Sequence, residues 1–343
     1  MTLSEEGRRP VSPRPDWYAA TARFERAVPL KTAWQIVNTL IPYLILWYGM
    51  VSFLRAGRPF WMILPGVAVA GLLFVRLFIL FHDCAHGSLF SSRRANRAFG
   101  VIFGVLTFTP FGKWRASHWQ HHATVADLDR RGTGDVWTMT RKEFAAAPRW
   151  KRLVYRLARN PVVMFILGPA PVFLVAQRLP LMTKSRKEVN SILLTDLGVA
   201  GLIVAAGVGF GFGTFFVIQV PVLMIAGMLG FWLFFIQHQF PGVYWARHAE
   251  WDRLRAATEG SSYYKLPRIL RWFTGDIGIH YIHHIRPRIP NYRLEECRRA
   301  VPGLEKVEPI TLFRSLRCLR LHLYDEEERQ LIGFGSAREA KPG

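Results

Sequence analysis

Eight of the chain's eleven histidines stand in three tight groups: His82 and His86; His118, His121 and His122; His280, His283 and His284. Their spacings of three and four residues put the imidazoles of each group on one helical face, about a turn apart. Neutral imidazole binds iron, zinc or copper without help from thiolate or carboxylate. One helical pair is more often a surface feature, but three groups in one chain point to a metal site made of nitrogen. His238, just past an apolar stretch, is a ninth candidate. Nine imidazoles would give two metal ions four or five ligands each and leave room for oxygen. His248 and His322 have no spacing partner and read as ordinary surface histidines. The three cysteines, Cys84, Cys297 and Cys318, give no disulfide framework and no CxxC pair. Cys84 lies inside the first group but points off the face that His82 and His86 share.

The elements that must position these groups are membrane helices. Residues 33–54, 60–81, 192–210 and 214–236 are apolar and long enough to cross a bilayer. Residues 99–112 are apolar but too short to cross. Residues 161–180 are interrupted by Pro161, Pro169, Pro171 and Pro180. Both segments are expected to be re-entrant or interfacial. Gly207, Gly209, Gly211 and Gly213 lack the spacing of a nucleotide loop and read as a tight turn between two spans. Residues 1–31 form a polar, Pro-rich arm without the apolar core of a signal peptide, so the first span is expected to direct targeting. Residues 113–160 and 237–325 read as a soluble cap. The tail, 326–343, follows the acidic run Asp325–Glu328 and is expected to fray.

A parity argument fixes the topology. One site requires all three groups on one side of the membrane. The first follows the second span, and the second follows a segment too short to cross. The third follows two further spans, so 161–180 should not cross. Basic residues collect on that same side: Arg93, Arg94 and Arg97, then Arg141 through Arg159, then Lys184, Arg186 and Lys187. By the positive-inside rule that side is cytoplasmic. The overall balance of 45 basic and 24 acidic residues, +21 at pH 7, has the same origin. It does not indicate nucleic-acid binding, because the basic residues flank apolar blocks and form no binding-module motif. A basic face would also attract anionic headgroups and an acidic electron donor. The expected fold is an all-α integral membrane protein: four transmembrane helices, interfacial helices and a cytoplasmic helical cap.

His82-x-x-x-His86, His118-x-x-His121-His122 and His280-x-x-His283-His284 resemble the three histidine boxes of the integral-membrane fatty acid desaturases. The flanks agree: Asp83-Cys84-Ala85 inside the first box, Gly278-Ile279 before the third, and Pro287-Arg-Ile-Pro-Asn-Tyr292 after it. The likeness covers residues 30–325. It implies a non-haem di-iron centre, dioxygen as cosubstrate, four spans, a cytoplasmic cap and an external electron donor that is ferredoxin-like or cytochrome b5-like. It also implies a further ligand beyond the last span, which favours His238. Box one has three intervening residues, whereas acyl-CoA desaturases have four. Box three begins with His280 rather than the Gln of front-end enzymes, and the arm is too short for a fused cytochrome b5 domain. The boxes are most similar to acyl-lipid methyl-end desaturases of the delta-12 type. Asp276, where relatives often carry Asn, is a departure.

The implied reaction inserts a cis double bond into a lipid-linked acyl chain at the inner membrane of a bacterium. A lipid or carotenoid hydroxylase or ketolase on the same scaffold is the nearest alternative. A metal or haem carrier would place its ligands near mid-bilayer rather than at helix ends, and a basic lipid-binding scaffold would not need the histidines. Metal-bound imidazole usually donates its other N–H to a carboxylate or carbonyl. Asp83 and Asp135 are the best-placed carboxylates, followed by Asp127, Asp129 and Asp276; each has a capping or solvated role as its alternative. Arg76, about 9 Å along the helix from His82, either meets a lipid headgroup or snorkels to the interface. Aromatic helix ends (Trp114, Trp119, Trp137, Phe231, Trp232, Phe234 and Phe235) either line an apolar tunnel or serve packing and anchoring.

Overall fold

The computed structural model describes residues 15–336, apart from 133, 181, 182 and 184. Residues 1–14 of the expected arm, Lys184 and residues 337–343 of the expected tail lie outside the described residues. Among the described residues, four helices are long and apolar enough to cross a membrane: Pro29–Arg55, Phe60–His86, Arg186–Phe210 and Phe212–His238. The few short strands lie outside these four helices. The all-α membrane fold is therefore as expected.

Helix ends differ from the apolar blocks in a way that matters for the site. Twenty-seven residues at 1.5 Å each make about 40 Å of helix, against a hydrocarbon core of about 30 Å. The second and fourth helices therefore overshoot, and their final turns carry His82, His86 and His238 as helical residues. An apolar run stops at its first polar residue; the helix continues because its backbone bonds are internal and the cap buries its end. Gly87, with φ of 69°, then terminates the second helix in the left-handed conformation that favours glycine. This helix is the central one: 61% of its apolar window is buried, against a third or less in the other three. It meets the fourth helix at Gly71, where a Cβ would stand 2.6 Å from Ile225 Cγ2.

The 99–112 stretch is not a single element. A helix, Arg93–Leu106, reverses tightly over residues 107–110, and Phe111–Thr124 returns with the second box. Phe108 takes φ of 56° in that reversal. Gly104 is required there, since a Cβ would lie 2.7 Å from the Thr109 carbonyl oxygen, a backbone atom. Gly104→Ala is expected to strain this hairpin by about 1–3 kcal/mol, the cost of overpacking. The check is a thermal melt in micelles, with a lower midpoint than wild type.

In 161–180, Val162–Leu167 and Pro171–Ala176 are short helical turns with i→i+5 bonding, as from Gly168 N–H to the Val163 carbonyl at 2.7 Å. Phe165 packs against Trp232 and Phe235 of the fourth helix. From Pro15 onward the arm is fastened to the cap. Phe24 is buried, and Arg286 stacks on Tyr18 at 4.3 Å and ion-pairs with Glu25 at 3.1 Å.

The tail does not begin to fray at 326. Leu323–Asp325 runs parallel to Met139–Thr140 and antiparallel to Gln330–Ile332. The acidic run forms the turn and is held by cations: Arg141 on Asp325 at 2.9 Å and Arg247 on Glu326 at 2.8 Å. Phe334 stacks on His322 at 4.2 Å. His322 is thus half-buried, not an ordinary surface histidine, and burial lowers its pKa to about 4.

Candidate metal centre

All nine candidate imidazoles converge. His82 and His86 come from the end of the second helix, and His118, His121 and His122 from Phe111–Thr124. His238 ends the fourth helix, and the short helix His280–Ile285 supplies the rest. They divide into two groups, His82, His86, His118 and His283, and His121, His238, His280 and His284. Within each group, one donor atom per residue lies within 4.8 Å of the others. The second and third boxes each contribute to both groups, which locks the two together. His122 sits between: its Nε2 is 3.2 Å from His118 Nε2 and 3.0 Å from His283 Nε2, and its ring stacks on His284 at 4.1 Å.

Eight of the nine are buried and His118 is half-buried. Burial first, and neighbouring imidazoles second, hold His118, His122, His280, His283 and His284 well below the usual histidine pKa, so they are neutral at pH 7. Across the cluster the ring nitrogens face one another at 3.0–3.2 Å. Both nitrogens of His86, and Nδ1 of His122, His280 and His284, are buried without a hydrogen-bond partner. Converging lone pairs are costly unless a cation accepts them. Bonds of 2.0–2.1 Å to a common ion would place adjacent donors about 2.9–3.4 Å apart, and the observed spacings fit. The all-nitrogen donor set suits iron, zinc or copper.

Outer contacts orient the rings. His121 Nδ1 donates to Asp135 Oδ1 at 2.7 Å, and Asp135 Oδ2 accepts the Gly132 N–H at 3.2 Å. His238 Nδ1 donates to the Gly260 carbonyl at 3.1 Å. His82 Nδ1 lies 3.4 Å from Asp83 Oδ1, a weaker contact. Asp83 is itself held by Asn291, whose backbone N–H and Nδ2 both donate to Oδ2 at 2.8 and 2.9 Å. Asn291 in turn exchanges two hydrogen bonds with Gln35 of the first span. Sequence reasoning missed Gly260, Asn291 and Gln35. The available signal was a buried polar side chain within a membrane helix, which costs free energy unless paired.

Three of the five carboxylates turn elsewhere. Asp127 lies beyond the end of the box-two helix and accepts from His248 Nδ1 at 2.6 Å. That contact also corrects the reading of His248 as an ordinary surface histidine. Asp129 accepts from Arg247 at 2.7 Å. Asp276, in a turn with φ of 55°, pairs with Arg271 at 2.6 Å. Arg76 is buried; it donates to Thr39 Oγ1 at 3.1 Å and to the Trp272 carbonyl, and stacks on the Trp272 ring at 4.1 Å. It therefore ties the first two spans to the cap instead of snorkelling.

Of the aromatic candidates, Trp114 stacks on His118 at 4.3 Å, Phe234 packs on His121 and His238, and Trp119 on His86 at 5.2 Å. Trp137 packs on Tyr155, Phe231 on Phe173, and Trp232 and Phe235 on Phe165.

The family profile described as fatty acid desaturase matches residues 59–309, which contain every box histidine. A fatty acid desaturase of Bacillus subtilis (strain 168) is 42% identical over 300 residues, 88% of this chain and 85% of its own length. An sn-1 oleoyl-lipid 12-desaturase of a Picosynechococcus species is 22% identical, over 88% of this chain and 87% of its own. An sn-1 acyl-lipid omega-3 desaturase (ferredoxin) of a Synechocystis species is 25% identical, over 68% and 65%. With three boxes converging at the ends of the second and fourth membrane helices and a relative this close along most of both chains, the protein belongs to the fatty acid desaturase family.

Proposed function

We propose that this membrane desaturase inserts a cis double bond into a lipid-linked acyl chain at a di-iron centre. His82, His86, His118 and His283 would hold one iron and His121, His238, His280 and His284 the other, with His122 between them. The observation that carries this reading is the convergence of nine imidazoles, eight of them in two interlocked groups and His122 between the two. The metal must cycle its oxidation state, which zinc cannot do. When bound, the irons supply the oxidising power, drawn from O2 and two electrons, that side-chain acid–base chemistry lacks. The balance is two hydrogens from adjacent methylenes, two electrons, two protons and one O2, giving one double bond and two waters.

The chain's own residues do the positioning. Asp135 and the Gly260 carbonyl hold Nδ1–H of His121 and His238, leaving Nε2 free as ligand. Trp114 and Phe234 give each group an apolar wall that excludes water and guides a methylene chain. The basic residues around the histidine end support a cytoplasmic site at the inner membrane. A small ferredoxin-like or cytochrome b5-like protein would supply electrons. Relatives named for a 12-desaturase and an omega-3 desaturase support an acyl-lipid substrate of the methyl-end type.

Expression in a host lacking polyunsaturated lipids, followed by mass spectrometry of its fatty acids, tests this. The expected product is an acyl chain lighter by two hydrogens. A product heavier by one oxygen would assign a hydroxylase instead.

A further inference from the structure

A buried metal centre that takes electrons from an external protein needs a place where the two come close, because electron tunnelling falls off exponentially with distance. Trp119 supplies such a place. It is 37% exposed, yet its indole packs edge-on to His86 at 5.2 Å and lies 6.2 Å from His122. Its Nε1 donates to the Ala85 carbonyl at 3.3 Å, which fixes the ring to the helix end bearing the first box. One aromatic ring therefore spans from the surface to a candidate ligand.

The surroundings suit a docking partner. On the same helix face Ala116 and Ala123, one turn either side of Trp119, are exposed, and their small side chains leave the indole open to close approach. Arg115 stands one turn before Trp119. From the carbonyl that Trp119 binds, the chain passes through Gly87 to Arg93, Arg94 and Arg97, all exposed. Among the described residues, no carboxylate lies within 4.0 Å of any of these four arginines. Arg115, one turn from the exposed indole, sets unpaired positive charge beside it and favours an acidic partner, with charge steering the encounter and the aromatic ring anchoring it.

We propose that Trp119 is the surface contact through which electrons reach the histidine centre, delivered by a small acidic one-electron carrier seated over Trp119 and Arg115. The inference rests on the desaturase reading. In each encounter the carrier loses one electron and the centre gains one, and no bond forms or breaks; two encounters serve one turnover.

The test uses iron-loaded protein in nanodiscs, reduced anaerobically in a stopped-flow instrument by a reduced [2Fe–2S] ferredoxin or by dithionite. Trp119→Leu is expected to slow reduction by ferredoxin by about tenfold, within the range of interface substitutions. Its iron content and its reduction by dithionite should match wild type. Arg115→Glu should likewise slow ferredoxin by about tenfold at low salt and flatten the salt dependence. Ferredoxin rates unchanged in both variants would overturn the proposal. So would a parallel loss of iron or of dithionite reduction in Trp119→Leu, since the indole would then only pack the centre. Failure of the desaturase reading looks different: wild type would hold no iron, or would be reduced without converting lipid.

Discussion

His283→Ala is expected to hold about one metal ion against an expected two in the wild type, and to form no detectable double bond. His283 is surrounded by the other imidazoles of its group. Its centroid lies 4.5 Å from His82 and 4.7 Å from both His86 and His122, and its Nε2 faces His122 Nε2 at 3.0 Å. Removing it leaves three donors in a dry site built for four. Two metals acting as a unit fail together, so turnover should fall by a factor on the order of 10⁴ or more. The second group keeps all four of its histidines and should keep its ion. Metal analysis of the purified variant, beside fatty-acid profiling, checks both halves of the statement. His248→Ala is the control: that ring bonds Asp127, outside both groups, and metal content should stay at two. Two retained ions in His283→Ala would remove this residue from the ligand set.

Much of this arrangement could be read before any coordinates, because it depends on local periodicity. Spacings of three and four on helices, apolar runs of bilayer length and the parity of crossings all follow from the chain itself. What could not be read depends on distant partners. The second and fourth helices run on through His86 and His238 because the cap covers their ends, and an apolar window ignores that cover. The hairpin of Arg93–Leu106 and Phe111–Thr124 turns on Gly104 and on a left-handed Phe108, neither of which marks a reversal alone. The acidic tail looked unstructured because Arg141 and Arg247, its partners, are far away in the sequence. Among the carboxylates, proximity in sequence predicted too much. Asp83 is adjacent to His82, yet its best hydrogen bonds come from Asn291, more than two hundred residues later.

Asp135 and Asp83 differ in how they hold their histidines, and the loss of each should be felt in a different group. Asp135 makes a short, direct bond to His121 and is anchored by the Gly132 amide, so it fixes the tautomer of a candidate ligand in the second group. Asp135→Ala leaves Nδ1 of a buried His121 without its acceptor. Metal affinity of that group should fall by about 10–100-fold, the usual cost of losing such a contact. Asp83 serves the first group and at longer range, at 3.4 Å, so the direct effect of Asp83→Ala on His82 should be smaller. Its indirect effect is larger, because the Asn291–Gln35 pair that fastens the box-three segment to the first span loses its carboxylate. Metal release to a chelator, followed in time, should therefore be biphasic in both variants, but for different reasons. Asp135→Ala should speed loss of the ion held by His121, His238, His280 and His284, and Asp83→Ala loss of the other. Combining each variant with His283→Ala, which empties the first group, separates the phases. Fast release should survive only in the Asp135→Ala, His283→Ala double variant. If both double variants release their remaining ion at the same rate, the assignment of one carboxylate to each group fails, and the two groups behave as a single pool of ligands.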